Sequence, residues 1–177
     1  MQKRLVRLAA LLVFAVIAHF VTRGGNEASV KPALQEDRGT HIENSLSGAR
    51  LGPCEVTHVT DGDTLNVRCN GRKERVRMLQ IDTPERGEPL YEEAGAALEA
   101  LIAGRSVLLE RGPEQRDAYG RVLATVFVDG ENLNLAMIRD GWSPYFDRYG
   151  AGAYAREFAD AERTARKVGR GIWANER

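Results

Sequence analysis

Arg77-Met78-Leu79-Gln80-Ile81-Asp82-Thr83-Pro84-Glu85 decides the reading of this chain: it ends an alternating stretch with two carboxylates and carries an arginine five residues before the first of them. Val76, Met78 and Gln80 alternate with Arg75, Arg77 and Leu79, and a period of two marks a strand. Pro84, which has no N–H for a sheet ladder, stops it. A strand is predicted over residues 74–81, with Arg77, Asp82 and Glu85 as the first candidates for chemistry.

Upstream, residues 55–60 and 64–69 also alternate, through Val56, His58, Leu65 and Val67, and Asp61-Gly62-Asp63 between them reads as a hairpin turn. Asn70-Gly71 then turns the chain into the strand already described. Residues 91–103 are predicted helical, with Tyr91, Ala94, Leu98, Leu101 and Ile102 on one face and Gly104 as the stop. Residues 106–110 and 122–128 read as strands around a polar loop containing Arg116, Asp117 and Tyr119. A short helix follows over residues 131–139. Tyr154, Phe158, Ala161 and Ala165 mark a last helix, after which Ile172-Trp173 packs back. Five short strands with a helix after the third predict an α+β, β-barrel-rich fold: a five-stranded OB-fold barrel with three helices.

The chain has 177 residues, enough for one domain and a tail. Residues 51–177 carry 18 Lys and Arg against 21 Asp and Glu, a net of −3, so any polyanion site is local. Only Lys3, Lys31, Lys73 and Lys167 are lysines; the other cations are arginines, whose planar fork suits phosphate. At the N-terminus, Lys3, Arg4 and Arg7 precede an apolar run over residues 8–21 broken only by His19. Fourteen residues at ~1.5 Å each fall short of a ~30 Å hydrocarbon core. An export signal is therefore expected over residues 1–22, with a short membrane anchor as the alternative. Residues 23–50 lack periodicity and read as a disordered linker, and residues 51–177 as the folded domain. The expected location is secreted or periplasmic, with membrane contact only through the N-terminal segment.

Asp63, Asp82 and Glu85 lie at strand ends, where a barrel mouth can converge them. Clustered carboxylates repel unless a cation or a proton relieves them, and a hard oxygen-seeking ion such as Ca²⁺ fits. Taken alone, Asp61 and Asp63 also read as turn residues and Asp82 as a bend before Pro84. Arg77 and Arg121 are the complementary pair: two guanidinium groups can stabilise charge gathering on a phosphodiester under attack.

Asp61-Gly62-Asp63-Thr64, Arg77 with Ile81-Asp82-Thr83-Pro84-Glu85, and Asp117-Ala118-Tyr119-Gly120-Arg121 resemble the staphylococcal nuclease (thermonuclease) family over roughly residues 54–173. The resemblance implies a calcium-dependent nuclease that cleaves DNA and RNA to 3′-phosphate ends. It implies that Asp63 and Asp82 are metal ligands, with the backbone carbonyl of Thr83, and that Glu85 positions or deprotonates the attacking water. Arg77 and Arg121 match the phosphate clamps, and Tyr119 the tyrosine beside the terminal phosphate. Asp61 is expected to shape the turn. Removal of either arginine is expected to cost rate far more than fold.

The chain departs from the family pattern at Ala118, where a lysine is common, and in Trp142 to Tyr149, where Tyr145, Phe146 and Tyr149 are candidates to stack bases of single-stranded substrate. Tyr145 enters the candidate substrate site; Phe146 is assigned to the core. The rival reading is a catalytically silent OB-fold module that binds nucleic acid or protein at the cell envelope. A monomer is expected.

Cys54 lies eight residues before Gly62 and Cys69 seven after it, so a hairpin turning there sets them nearly opposite. A disulfide is expected over two free thiols in an exported chain. His19, His41 and His58 have no ligand spacing, and two cysteines without a histidine pair do not make a zinc site. Arg163, Arg166, Lys167 and Arg170 read as cations complementing a helix C-terminus.

Overall fold

The computed structural model describes residues 50–148 and 150–174; the N-terminal segment, the linker, His19, His41 and Tyr149 lie outside them. Six strands and three helices follow in order: β1 Arg50–Val59, β2 Thr64–Cys69, β3 Arg72–Met78, α1 Tyr91–Ile102, β4 Val107–Arg116, β5 Val122–Val128, β6 Glu131–Asn132, α2 Leu133–Arg139 and α3 Ala155–Val168. A 3₁₀ turn at Gly171–Trp173 ends the described chain.

The sheet runs β3-β2-β1-β4-β5-β6, and a parallel pairing of β3 with β5 closes the first five strands into a barrel. This is the predicted five-stranded OB-type barrel with three helices. β1 serves two partners: Glu55 to Val59 pair with β2, while Arg50, Leu51 and Cys54 pair with β4. The register shifts between Leu51 and Cys54, where Gly52-Pro53 interrupts the ladder. Gly52 has φ 141°, and a Cβ there would lie 2.8 Å from the Val107 carbonyl oxygen, so glycine lets β1 bend against β4.

Some boundaries differ from the sequence reading. β1 starts at Arg50, five residues before the predicted strand, because its first half is paired with β4 rather than with the hairpin. β3 ends at Met78, not Ile81: Gln80 sits at φ 54°, a left-handed conformation that turns the chain out of the ladder. β4 continues through Arg116 and takes in half of the loop predicted there, since pairing with β5 extends to Val122. The predicted helix over 131–139 divides into β6 and α2, with Asn132 as the N-cap accepting the Leu135 N–H.

The core fills the barrel and the seam beneath the helices. Leu65, Val67, Val76, Met78, Val107, Leu109, Val122, Ala124 and Val126 point inward from the strands. Ala94, Leu98, Leu133, Met137 and Phe158 cover them from the helices. Polar side chains are buried as well, Asn134 and Ser143 completely. Asn134, fully buried on α2, accepts the Val126 N–H at 2.9 Å and donates to the Leu79 carbonyl at 2.7 Å. It ties α2 to β5 and to the exit of β3, satisfying two backbone groups the sheet leaves open. Gly141 and Gly171 close the C-terminal end, where the Ile172 N–H donates to Gly141 O at 2.9 Å and a Cβ on Gly171 would meet that oxygen. Two of the C-terminal cations make contacts within the fold. The Arg166 guanidinium lies 3.8 Å over the Trp173 ring, and Arg170 donates to the Arg139 carbonyl.

Cys54 and Cys69 form the expected disulfide across β1 and β2, with Cα atoms 4.5 Å apart, the spacing of a directly opposed antiparallel pair. Replacing both with serine is expected to lower the unfolding free energy by about 3 kcal/mol in urea melts, because the bridge closes a loop spanning 15 residues. Asn134→Ala strands two buried backbone groups and is expected to cost about 3 kcal/mol in the same measurement; an effect below ~1 kcal/mol would remove the proposed tie.

Candidate active site

The β1–β2 turn carries the first carboxylate. Asp61 Oδ1 accepts the Asp63 N–H at 3.1 Å, which fixes the turn, and Gly62 lets it approach the next segment: a Cβ on Gly62 would lie 2.8 Å from Thr83 Cγ2 and 2.9 Å from Ala94 Cβ. Asp63 is thereby pressed into the fold and is only 5% exposed. Its Oδ2 accepts from the Thr83 N–H at 2.9 Å and from Thr83 Oγ1 at 3.0 Å, and its Oδ1 from Thr64 Oγ1 at 3.1 Å. Burial pushes the Asp63 carboxyl up to about 6, against the downward pull of the Arg77 guanidinium and of the Thr83 N–H.

Arg77 extends from β3 between the two acidic segments. Its Nε faces Asp63 Oδ1 at 3.3 Å and its Nη2 meets Asp82 Oδ1 at 2.8 Å. Nη1 donates to the carbonyls of Met78 and Ile81 at 2.8 and 2.7 Å. Three of the five guanidinium N–H groups are thus hydrogen-bonded and Nε faces a carboxylate, so little of Arg77 is left for anything else. This revises the expectation for Arg77. It braces the fold as well as the site, because its loss leaves a buried carboxylate unpaired.

Asp82 is placed by a residue the sequence reading missed. The Asp82 N–H donates to Ser143 Oγ at 2.7 Å, and Ser143 Oγ donates to the Pro144 carbonyl at 2.7 Å. An Ile81–Tyr145 bridge and the Phe146 N–H to Gln80 O bond, 2.9 Å, continue the brace. A serine between Trp142 and Pro144 gives no signal of this in the sequence. Glu85 lies beyond Pro84, exposed, with its N–H bonded to Glu88 Oε2 at 2.8 Å.

The second arginine is built differently. Asp117 Oδ1 accepts the N–H groups of Tyr119 and Arg121 at 3.0 and 2.9 Å, and Oδ2 meets Arg121 Nε at 2.6 Å. Burial raises the Asp117 carboxyl, but the bonds from the Arg121 side chain and N–H outweigh it, and the group is held below the ordinary carboxylate range. The Nη nitrogens of Arg121 have no partner among the described residues, so its fork is open. Its guanidinium carbon lies 5.6 Å from the centre of the Tyr119 ring, which is 85% exposed. The parallel register pairs Val76 with Val122 and Arg77 with Leu123, both valines facing the core, so Arg121 and Arg77 share the outer face of neighbouring strands.

Tyr145 has a structural post. Its ring packs edge-on against Phe158, with centroids 5.7 Å apart, and its hydroxyl donates to the Ala151 carbonyl at 2.6 Å. The structure therefore brings Asp63, Asp82, Thr83 and Arg77 into one cluster, sets Tyr119 and Arg121 in the turn that leads into β5, and leaves Glu85 on the rim.

The family model described as staphylococcal nuclease homologue matches residues 75–175. A thermonuclease of Staphylococcus hyicus is 29% identical, the alignment covering 78% of this chain and 86% of the relative. An uncharacterized endonuclease of Haemophilus influenzae is 31% identical over 69% of this chain and 66% of the relative, and an uncharacterized protein of Bacillus anthracis is 33% identical over 84% and 79%. The chain belongs to the staphylococcal nuclease family. By class it is a nuclease hydrolase.

Ser143→Ala leaves the partly buried Asp82 N–H without its acceptor. Thermal or urea unfolding is expected to show a loss of about 1–3 kcal/mol; an unchanged melt would mean that Ser143 does not hold this segment.

Proposed function

We propose that this nuclease hydrolyses phosphodiester bonds of DNA and RNA in a calcium-dependent reaction, leaving 3′-phosphate ends and acting on single-stranded or frayed strands as a monomer. The observation that carries the reading is the cluster around Arg77, where Asp63 and Asp82 lie within 3.3 and 2.8 Å of one guanidinium. Among the described residues no three His, Cys, Asp or Glu side chains gather as a metal set. Two carboxylates and a main-chain carbonyl are what the site offers, and these hard oxygen donors suit Ca²⁺ with water completing its shell.

Asp63, Asp82 and the Thr83 carbonyl would hold the ion. When bound, calcium polarises a phosphoryl oxygen and organises water. Glu85 is three residues beyond Asp82 and unburied, in reach of solvent, and takes the proton of the attacking water. Arg121 presents its open fork to the equatorial oxygens as their charge grows. Arg77 adds mainly its field, since most of its N–H groups are engaged within the fold, so the arginines act unequally. Tyr119 meets a terminal phosphate or the adjoining base; Tyr145 contributes through the loop it anchors.

Export belongs to the same reading. The basic and apolar N-terminal stretch supports it, and so does the Cys54–Cys69 disulfide, which an oxidising compartment preserves.

Arg121→Ala is the cleaner test of the clamp, because Asp117 keeps the main-chain N–H bonds of Tyr119 and Arg121 when the side chain is removed. On denatured DNA with calcium, it is expected to lower kcat by about 10²-fold with an almost unchanged melt. Chelation of calcium is expected to abolish cleavage by the wild type, and magnesium to restore little of it. Full activity in chelator, or a fully active Arg121→Ala protein, would overturn the mechanism.

A further inference from the structure

β3 reads Arg72-Lys73-Glu74-Arg75-Val76-Arg77-Met78, and its buried members Val76 and Met78 set the alternate residues Lys73, Arg75 and Arg77 on the outer face. Across the antiparallel ladder, Arg68 faces Lys73, Asn66 faces Arg75 and Thr64 faces Arg77. One strand further, His58 stands beside Asn66. A shallow groove of about 360 Å³ runs over this surface, lined by Thr57, His58, Asn66, Arg68, Lys73 and Arg75 among others. A second hollow, about 220 Å³, is lined by Arg75, Tyr119 and Arg121. Arg75 borders both.

Lys73 and Arg75 are exposed, and among the described residues neither makes an ion pair. Neighbouring cations do: Arg68 with Glu55 and Arg116 with Glu74. Two free charges are thus left in line with the clamp. Alternate strand residues are about 6.6 Å apart, a step comparable with that between phosphates on an extended single strand.

We infer that the outer face of β1, β2 and β3 is a track for the single strand flanking the scissile phosphate, with Arg75 and Lys73 taking successive phosphates away from Arg77. The inference rests on the proposed nuclease reaction for its Arg77 end. Cations spaced along a groove bind a backbone irrespective of base, and Tyr119 supplies an aromatic face where the track meets the Arg121 hollow. An acidic protein is the less favoured occupant, since the groove continues into a phosphate clamp.

The full-length protein and a Lys73→Ala/Arg75→Ala variant would be titrated onto a fluorescein-labelled oligothymidylate of about 12 nucleotides in chelator, with anisotropy read at several salt concentrations. The variant is expected to bind about tenfold more weakly at low salt, with a log–log salt slope shallower by about 1.4, as two lost phosphate contacts require. Lys73→Arg/Arg75→Lys is expected to restore binding, and Arg163→Ala/Lys167→Ala to leave it unchanged. With calcium, the KM for the oligomer rises by the same factor while kcat and the KM for a dinucleotide hold. Equal binding by wild type and double variant overturns the track even if cleavage is robust; so does an equal KM rise on the dinucleotide. Polyglutamate displacing the oligomer as well as unlabelled oligothymidylate does overturns it in favour of an acidic partner. Weakened binding by the variant, in a wild type that cleaves nothing, upholds the track and removes the hydrolytic reading instead.

Discussion

A carboxylate removed from water must find partners, and Asp63 is removed almost completely. Much of the local architecture follows from that demand. Gly62 is small enough to bring the turn against Thr83 and Ala94; Thr83 answers with both its N–H and its hydroxyl; Arg77 answers with charge. Three segments are drawn to one point: the β1–β2 turn, the end of β3 and the stretch leading to α1. Burial still outweighs these partners in setting the carboxyl's proton affinity, so the arrangement is organised without being relaxed.

Strand closure supplies the other constraint. Because β3 pairs in parallel with β5, the outward residues of both strands lie on one surface, and the Asp117 turn delivers Arg121 to it. The chain beyond β3 is outside the ladder and has to be fixed by side chains and loops. Asn134 holds Leu79 from within, and Ser143 holds Asp82 from the loop after α2. The helices thus do more than cover the barrel: α2 and the turn that follows it set the position of the second acidic segment.

The barrel and the principal site residues are legible in the sequence because Asp63, Arg77 and Asp82 stand at the ends of alternating runs, and because Asn70-Gly71 and Asp61-Gly62-Asp63 mark the turns between those runs. The Cys54–Cys69 pairing is legible from hairpin symmetry alone. What stays hidden depends on partners far along the chain. The early start of β1 is set by β4, and the extension of β4 through a mostly polar stretch is set by β5. Neither carries an apolar period of its own. Ser143 and Asn134 are ordinary polar residues whose roles exist only once Asp82, Leu79 and Val126 are in place. The double duty of Arg77 is equally invisible, since a motif displays a guanidinium and not how many of its N–H groups are already engaged.

That engagement bears on how substitutions at this position are to be read. A lysine ammonium gathers its three donors at one nitrogen on a flexible stem, whereas Arg77 addresses two carboxylates and two carbonyls from separate edges of a rigid plane. No other natural side chain spans that set. The position is closed to exchange on architectural grounds before any reaction is considered, so an inactive protein altered there says little about catalysis. Arg121, with one edge anchored and the other free, is where the contribution of a guanidinium to chemistry can be separated from its contribution to shape.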